Sequence, residues 1–266
     1  MSSIGALPAR FRRPRILIIG CGDVGVRAAE ALGGGRRARL LALTSTPARA
    51  AELRARGIQP LLGDLDHPDS LKRLAGLGQR VLHLAPPPSG EHNPGRDDPR
   101  TRALMRAFLQ RSSPVSLVYG STTGVYGDRQ GQWVDETTAV RPTTARAQRR
   151  VDAEQLVRDW GRVAGVRTTV LRIPGIYAPN RENGTPRARL QRGTPVLRAE
   201  DDVFTHHIHA DDLARACALA LWRGPGPRTV NVTDDTAMSM GDYFDLAADL
   251  YGLPRPPRIS RAEAER

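Results

Sequence analysis

Strand-sized apolar runs alternate with helix-sized stretches along most of this chain, and that alternation leaves few folds open. Residues 15–20 form a continuous apolar run, the pattern of a strand buried on both faces. Residues 23–32 follow with helical spacing and stop at Gly33-Gly34-Gly35. The strand pattern recurs at 39–44, 58–62, 79–85, 115–119 and 166–173. Helical stretches lie between, at 47–56, 67–75, from 97 or 101 to 111, and at 143–163. Such an order predicts βαβ units and a parallel sheet, an α/β fold. After Pro174 the pattern loosens. It predicts a helix at 186–192, strands near 195–197 and at 204–208, a helix at 210–222, a strand at 229–232 and a helix at 240–251. The Pro/Arg-rich tail from Pro254 is expected to be mobile.

Length and charge then limit the function. A chain of 266 residues makes one large domain or one and a half. No apolar run approaches the ~18–20 residues that span a bilayer. Residues 1–14 carry basic side chains without an apolar core, so they are expected to be a flexible segment and not a secretory signal. Two cysteines, Cys21 and Cys217, cannot make a disulfide framework. The expectation is a cytoplasmic, reduced protein with no membrane partner. Lys+Arg total 40 against 28 Asp+Glu, a net charge of +12, and Lys72 is the only lysine. The positive field favours anionic small molecules. With aromatics at 5% and no basic-aromatic repeat, nucleic acid is not an expected partner.

Gly20-Cys21-Gly22-Asp23-Val24-Gly25 has the spacing G-x-G-x-x-G. It follows a strand and opens a helix, the context in which that spacing carries meaning. Gly20 allows the tight turn, Gly22 lets a diphosphate approach the backbone, and Gly25 lets helix and strand pack closely. Helix N–H groups at Asp23 and Val24 then face the anion. The end of the second strand selects the dinucleotide. An acidic residue there would hold a ribose 2′-OH; this chain offers Thr44, Ser45 and Thr46, then Arg49. Hydroxyls and an arginine suit a 2′-phosphate, so NADP is preferred, with NAD as the alternative. Asp64, beside Leu65, is placed to accept from an adenine amino group or to cap a helix. Leu84, Ala85 and Pro86 would line the cofactor trough.

The chain resembles the extended short-chain dehydrogenase/reductase superfamily of NAD-dependent epimerases and dehydratases. The resemblance is carried by Gly20–Gly25, Gly63-Asp64-Leu65, residues 121–127 (Ser-Thr-Thr-Gly-Val-Tyr-Gly), residues 171–177 (Leu-Arg-Ile-Pro-Gly-Ile-Tyr) and residues 208–214. It implies a Rossmann doubly wound sheet at 15–173 and a smaller α/β substrate region at 174–266. The two interleave, the Rossmann domain regaining 203–232, with the site in the cleft between. Ser121 and Pro174 would then border the cofactor, and a homodimer would form through the helices near 97–111 and 143–163.

The superfamily also implies a Ser/Thr after the fifth strand, matched by Thr122, and a Tyr-x-x-x-Lys pair on the next helix. Counting back from Glu154, that pair falls on Arg146 and Arg150, and no Tyr-x-x-x-Lys occurs anywhere in the chain. In this the chain resembles the atypical, YeeZ-type subgroup. Arg146 and Arg150 share a helix face. Arg150 is expected to hold the cofactor ribose and Arg146 to grip a substrate carboxylate or phosphate. Tyr126 is the candidate for a surrogate acid/base, needing a nearby cation such as Arg150 to lower its pKa; packing in its Val-Tyr-Gly turn is the favoured alternative for it, as packing is for Tyr177. His206, His207 and His209 alternate on a strand, so at most two share a face, and no metal site is expected. Cys21 reads as a packed residue. Two functions follow: an NAD(P)-dependent oxidoreductase or epimerase/dehydratase acting on a small polar or anionic, sugar-nucleotide-like substrate, or a non-catalytic NADP(H)-binding redox sensor or regulatory protein.

Overall fold

The computed structural model describes residues 13–88 and 95–266. Of the expected N-terminal segment only residues 13 and 14 are described, and part of the loop before residue 99 also lies outside. In chain order the elements are β1 (Arg15–Ile19), α1 (Asp23–Ala31), β2 (Arg39–Thr44), α2 (Arg49–Ala55), β3 (Ile58–Leu62), β4 (Arg80–His83), α3 (Pro99–Phe108), β5 (Ser116–Thr122), α4 (Ala145–Ala164) and β6 (Arg167–Ile173). The second part holds β7 (Gly175–Tyr177), α5 (Arg187–Gln191), β8 (Val196–Leu197), β9 (Phe204–Thr205), β10 (His207–His209), α6 (Ala210–Trp222), β11 (Arg228–Asn231), β12 (Met238–Ser239), α7 (Met240–Tyr251), β13 (Arg258–Ile259) and α8 (Arg261–Ala264).

The main sheet has seven strands in the order β11-β6-β5-β4-β1-β2-β3. All its pairings are parallel. This is a Rossmann doubly wound sheet, and β11 returns from the second part to pair with β6. Side chains alternate across it. Ile16, Ile18, Leu40 and Ala42 pack with Ala28 and Ala29 of α1 and with Leu213 and Cys217 of α6. Leu17, Ile19, Leu41 and Leu43 pack on the other face with Leu104 and Phe108 of α3 and with Val157 and Trp160 of α4. A third, smaller core joins Leu190, Val196, Phe244 and Ala248. Among the described residues no helix is long and apolar enough to cross a membrane.

Three local expectations need correction. The helix expected at 67–75 is a 3-10 helix, Pro68–Leu74; proline starts it and Gly76, with φ +75, follows it, leaving little length for an α-helix. The strand expected at 204–208 is two strands. β9 pairs antiparallel with β12, and β10 pairs parallel with β7, so the chain changes partner at His206. The tail expected to be mobile is tied down. β13 pairs with β8, and α8 starts with a capping box in which Ser260 and Glu263 satisfy each other's backbone N–H groups.

Candidate active site

The glycine loop joins β1 to α1, and two of its glycines are explained by the chain itself. Gly20 has φ +86, and a Cβ there would lie 2.3 Å from Ala85 N. The backbone after β4 crosses at that point because Leu84 N and Ala85 N both donate to Ile19 O, at 2.7 and 3.1 Å. A Cβ on Gly25 would lie 2.9 Å from Gly20 O. Gly22 differs. Its φ is −79, which any residue adopts, and a Cβ there would meet nothing within 4 Å. Nothing inside the chain requires glycine at this position, which faces outward beside the N-terminus of α1. No side chain caps that helix, so its first N–H groups are left for another acceptor. The cradle fits a diphosphate.

Around the loop, Arg49 Nη1 donates to Cys21 O at 2.9 Å, which sets a guanidinium against the cradle. Thr44 is nearly buried and accepts from Thr46 N at 3.2 Å, and Ser45 is exposed. Asp64 closes a local turn by accepting from Asp66 N at 3.0 Å and lies 3.3 Å from His67 Nδ1. Leu65 packs on one core, Leu84 packs on the opposite core, and Pro86 is exposed. Cys21 is buried in the core beside α1, and burial pushes its thiol up to about 11.

A parallel sheet carries all its strand C-termini on one edge. Along that edge the glycine loop follows β1, Ala85 follows β4, Thr123 follows β5, Pro174 follows β6 and Asn231 ends β11. A cleft of about 510 Å³ opens at the β5–β6–β11 end, beside the trough at β1 and β4. Thr123, Tyr126, Arg129, Gly175, His206 and Asn231 line it, with Trp133 and Phe204 on its rim. Both rim aromatics are exposed, Trp133 by 86%. Dinucleotide-binding α/β sheets use this edge.

The model of the NAD dependent epimerase/dehydratase family matches residues 16–233. The chain belongs to this family. Among solved structures, a functionally unknown conserved protein from Silicibacter pomeroyi DSS is 30% identical, covering 95% of this chain and 84% of its own, with a TM-score of 0.73. The UDP-glucose 4-epimerase of Thermotoga maritima, solved with UDP-glucose, is 19% identical over 92% of this chain and 85% of its own, TM-score 0.75. The UDP-glucose 4-epimerase of Thermus thermophilus, solved with NAD, is 22% identical over 92% and 87%, TM-score 0.74. At those identities the last two show a common fold. No curated protein matches the chain.

Where the resemblance implies a Tyr-x-x-x-Lys pair, α4 carries two arginines. Arg146 is exposed on the first turn of α4. Arg150 turns inward, its Nη1 donating to Gly120 O at 2.6 Å and to Tyr119 OH at 3.0 Å. Neither lines the cleft, contrary to the shared cleft-facing surface expected from their spacing; a buried guanidinium takes the acceptors the core offers. The cation beside Tyr126 is therefore not Arg150. Arg172 lies over its ring, 4.7 Å from the centroid. The Tyr126 hydroxyl points between Asn231 Oδ1 at 2.7 Å and Asp135 O at 2.9 Å.

Thr122 Oγ1 accepts from Gly124 N at 3.2 Å and caps the 3-10 turn Thr123–Tyr126, so Thr123 is the hydroxyl that lines the cleft. Ser121 donates to Glu154 Oε1 at 2.6 Å. Glu154 is fully buried and also receives Arg172 Nε and Nη2, at 3.2 and 2.9 Å, and Arg158 Nη1, at 3.1 Å.

A second buried chain runs from His83 Nε2 to Thr101 Oγ1, at 3.0 Å, and on to Asp98 Oδ2, at 2.6 Å. Since the threonine donates to Asp98, the histidine donates from Nε2, and its buried Nδ1 has no hydrogen-bond partner among the described residues. Burial, aided by Arg150, pushes its pKa down to about 3. Burial also pushes the neighbouring Tyr119 hydroxyl up. His207 stacks on Tyr243 at 4.2 Å, and His209 Nδ1 accepts from Asp211 N at 3.3 Å. Tyr177 packs edge-on against both histidines. Among the described residues no group of three His, Cys, Asp or Glu is placed to hold a metal.

Sequence reasoning missed Arg129, Trp133, His206 and Asn231 as cleft residues. Arg129 and Trp133 lie in a polar loop with no periodic pattern, and the strand patterns at 204–208 and 229–232 carry no sign that His206 and Asn231 meet at one cleft.

Proposed function

We propose that the chain is an NAD(P)-dependent oxidoreductase or epimerase/dehydratase acting on a small polar, anionic, sugar-nucleotide-like substrate. The observation that carries this reading is Gly22, a glycine that no contact inside the chain requires. The amides after Gly20 and the N-terminus of α1 hold the diphosphate. Arg49, with Thr44 and Ser45, recognises a ribose 2′-phosphate, which favours NADP over NAD. Asp64 and Leu65 border the adenine, and Leu84, Ala85, Pro86 and Pro174 wall the trough. When bound, the nicotinamide gives or takes the hydride. In the cleft, the Thr123 hydroxyl polarises the reacting oxygen, on a turn that Thr122 caps and keeps in place. Tyr126 supplies a hydroxyl proton under Arg172. Arg129 draws in an anionic group, and Trp133 and Phe204 offer flat faces to a planar one. Arg150 holds the end of β5 on which Ser121 to Thr123 are carried.

The arginines at 146 and 150 favour a second reading, a non-catalytic NADP(H)-binding sensor. Arg150 spends its hydrogen bonds on the protein, and so does Tyr126. One experiment separates the two. Titration with NADPH and NADH gives saturable binding under both, and Arg49→Ala weakens NADPH more than NADH. Under the first reading, a panel of nucleotide sugars and carbonyl compounds yields turnover that Thr122→Ala and Tyr126→Phe lower about ten-fold or more. Binding without turnover across the panel leaves the sensor.

A further inference from the structure

A carboxylate stands at the mouth of the phosphate cradle. Asp23 opens α1 directly after Gly22. Its Oδ1 accepts from Arg27 Nε at 2.9 Å, and its Oδ2 accepts from Arg181 Nη1. Arg27 lies one turn further along the same helix. Arg181 arrives from a turn after β7 that is closed by Ala178 N donating to Gly184 O at 3.1 Å and Gly184 N donating to Arg181 O at 3.0 Å. These two arginines hold the Asp23 carboxyl below the usual range although burial opposes them.

The two cations are not equivalent. Arg27 is pinned by acceptors on three segments: Asp23, Asp211 Oδ1 of α6 at 2.5 Å, and Asn180 Oδ1 at 2.6 Å. Its side chain is only 13% exposed. Arg181 has, among the described residues, one side-chain partner, Asp23, and is about twice as exposed, at 27%. It can change partner without stranding another group. The helix end that favours Asp23 favours a diphosphate for the same reason, so the two anions compete there. A carboxylate already paired with Arg27 can release its second cation to a ligand of higher charge.

Given the dinucleotide reading above, we propose that Arg181 is a diphosphate ligand held in reserve by Asp23. On binding, its guanidinium passes from the carboxylate to the diphosphate, while Asn180, held by Arg27 Nη2, keeps the 178–184 turn in place.

A double-mutant cycle read by NADPH binding tests this on the full chain, with unliganded melting temperature as the check on folding. Asp23→Asn frees Arg181 and tightens binding. Arg181→Gln weakens it about ten-fold, and does so again in the Asp23→Asn background, as loss of a charge-assisted bond requires. A change below about two-fold in that background means Arg181 only neutralises Asp23, which overturns the proposal. If Arg181→Gln destabilises the free chain, Arg181→Lys takes its place. It keeps the charge, loses the planar fork and still weakens binding several-fold; wild-type affinity in that variant overturns the proposal as well. A wild-type chain that binds neither NADPH nor NADH overturns the dinucleotide reading itself, a result distinct from a flat cycle.

Discussion

The two halves of the sheet's C-terminal edge are built from different materials. At β1 the cradle is backbone: Gly20 against Ala85, Gly25 against Gly20, and one carbonyl receiving two amides from the crossing chain. At β5 and β6 the corresponding edge is held by buried side-chain ions, Glu154 between Arg172 and Arg158, and Arg150 beneath Gly120. A backbone site tolerates any neighbours as long as the glycines stay. A side-chain site can be rewired, since a core that offers carbonyl and hydroxyl acceptors can absorb a new arginine. This accounts for a chain that carries the G-x-G-x-x-G spacing at β1 and two arginines where the resemblance implies a Tyr-x-x-x-Lys pair.

The largest effect that tests this contrast belongs to the ionic half. Glu154→Ala leaves Arg172 buried without a carboxylate, and breaking a buried pair on one side costs about 3–5 kcal/mol. Urea unfolding measures it. A loss below about 1 kcal/mol would place the pair among interactions no stronger than surface ones and dissolve the distinction between the halves.

The next effect is in pH. His83 has a folded pKa of about 3 against an ordinary 6.5. Between those values the unfolded chain binds a proton that the folded chain refuses, so stability falls as pH drops below about 6.5, by about 2 kcal/mol at pH 5. Asp98, whose carboxyl burial pushes up, acts in the opposite sense, because the folded chain takes its proton first. The clean quantity is therefore wild type minus His83→Gln, followed by chemical denaturation from pH 7 to 5. A constant difference across that range would mean the imidazole titrates normally.

The same contrast decides what could be read from the sequence. The apolar runs at 15–20 and 39–44 fall on β1 and β2, because strands buried on both faces need apolar residues at every position. The glycine spacing announced the cradle because backbone contacts leave a local signature. α4 was located, at 145–164 against the expected 143–163, since Thr144 caps it by accepting from Ala147 N. Its orientation was not legible. Arg149, Arg150 and Glu154 are all buried, so charge on this helix does not mark the solvent face; Arg150 and Glu154 find partners on strands 18 to 33 positions away, and Arg149 finds Gly95 O in a loop 54 positions away. The cleft was equally hidden, because its walls come from the loop after β5 and from segments around residues 204 and 231 that meet only in the fold.

The smallest effect is the one that isolates the cradle. Gly22→Ala adds a methyl group where the free chain has open space and where φ −79 suits alanine. Losing glycine at a helix N-cap costs some stability and stiffening the unfolded chain returns some, so the net change stays within about 1 kcal/mol. Under the dinucleotide reading proposed above, the methyl group occupies the path by which the diphosphate reaches the loop amides. Losing the equivalent of one charge-assisted bond weakens NADPH about ten-fold, or about 1.4 kcal/mol. Calorimetric titration beside a thermal melt reads both quantities. Affinity lost with the melt unmoved is the signature of a glycine kept for a ligand. If affinity and melting temperature fall together, Gly22 belongs with Gly20 and Gly25 as a packing residue, and the outward-facing cradle loses its meaning.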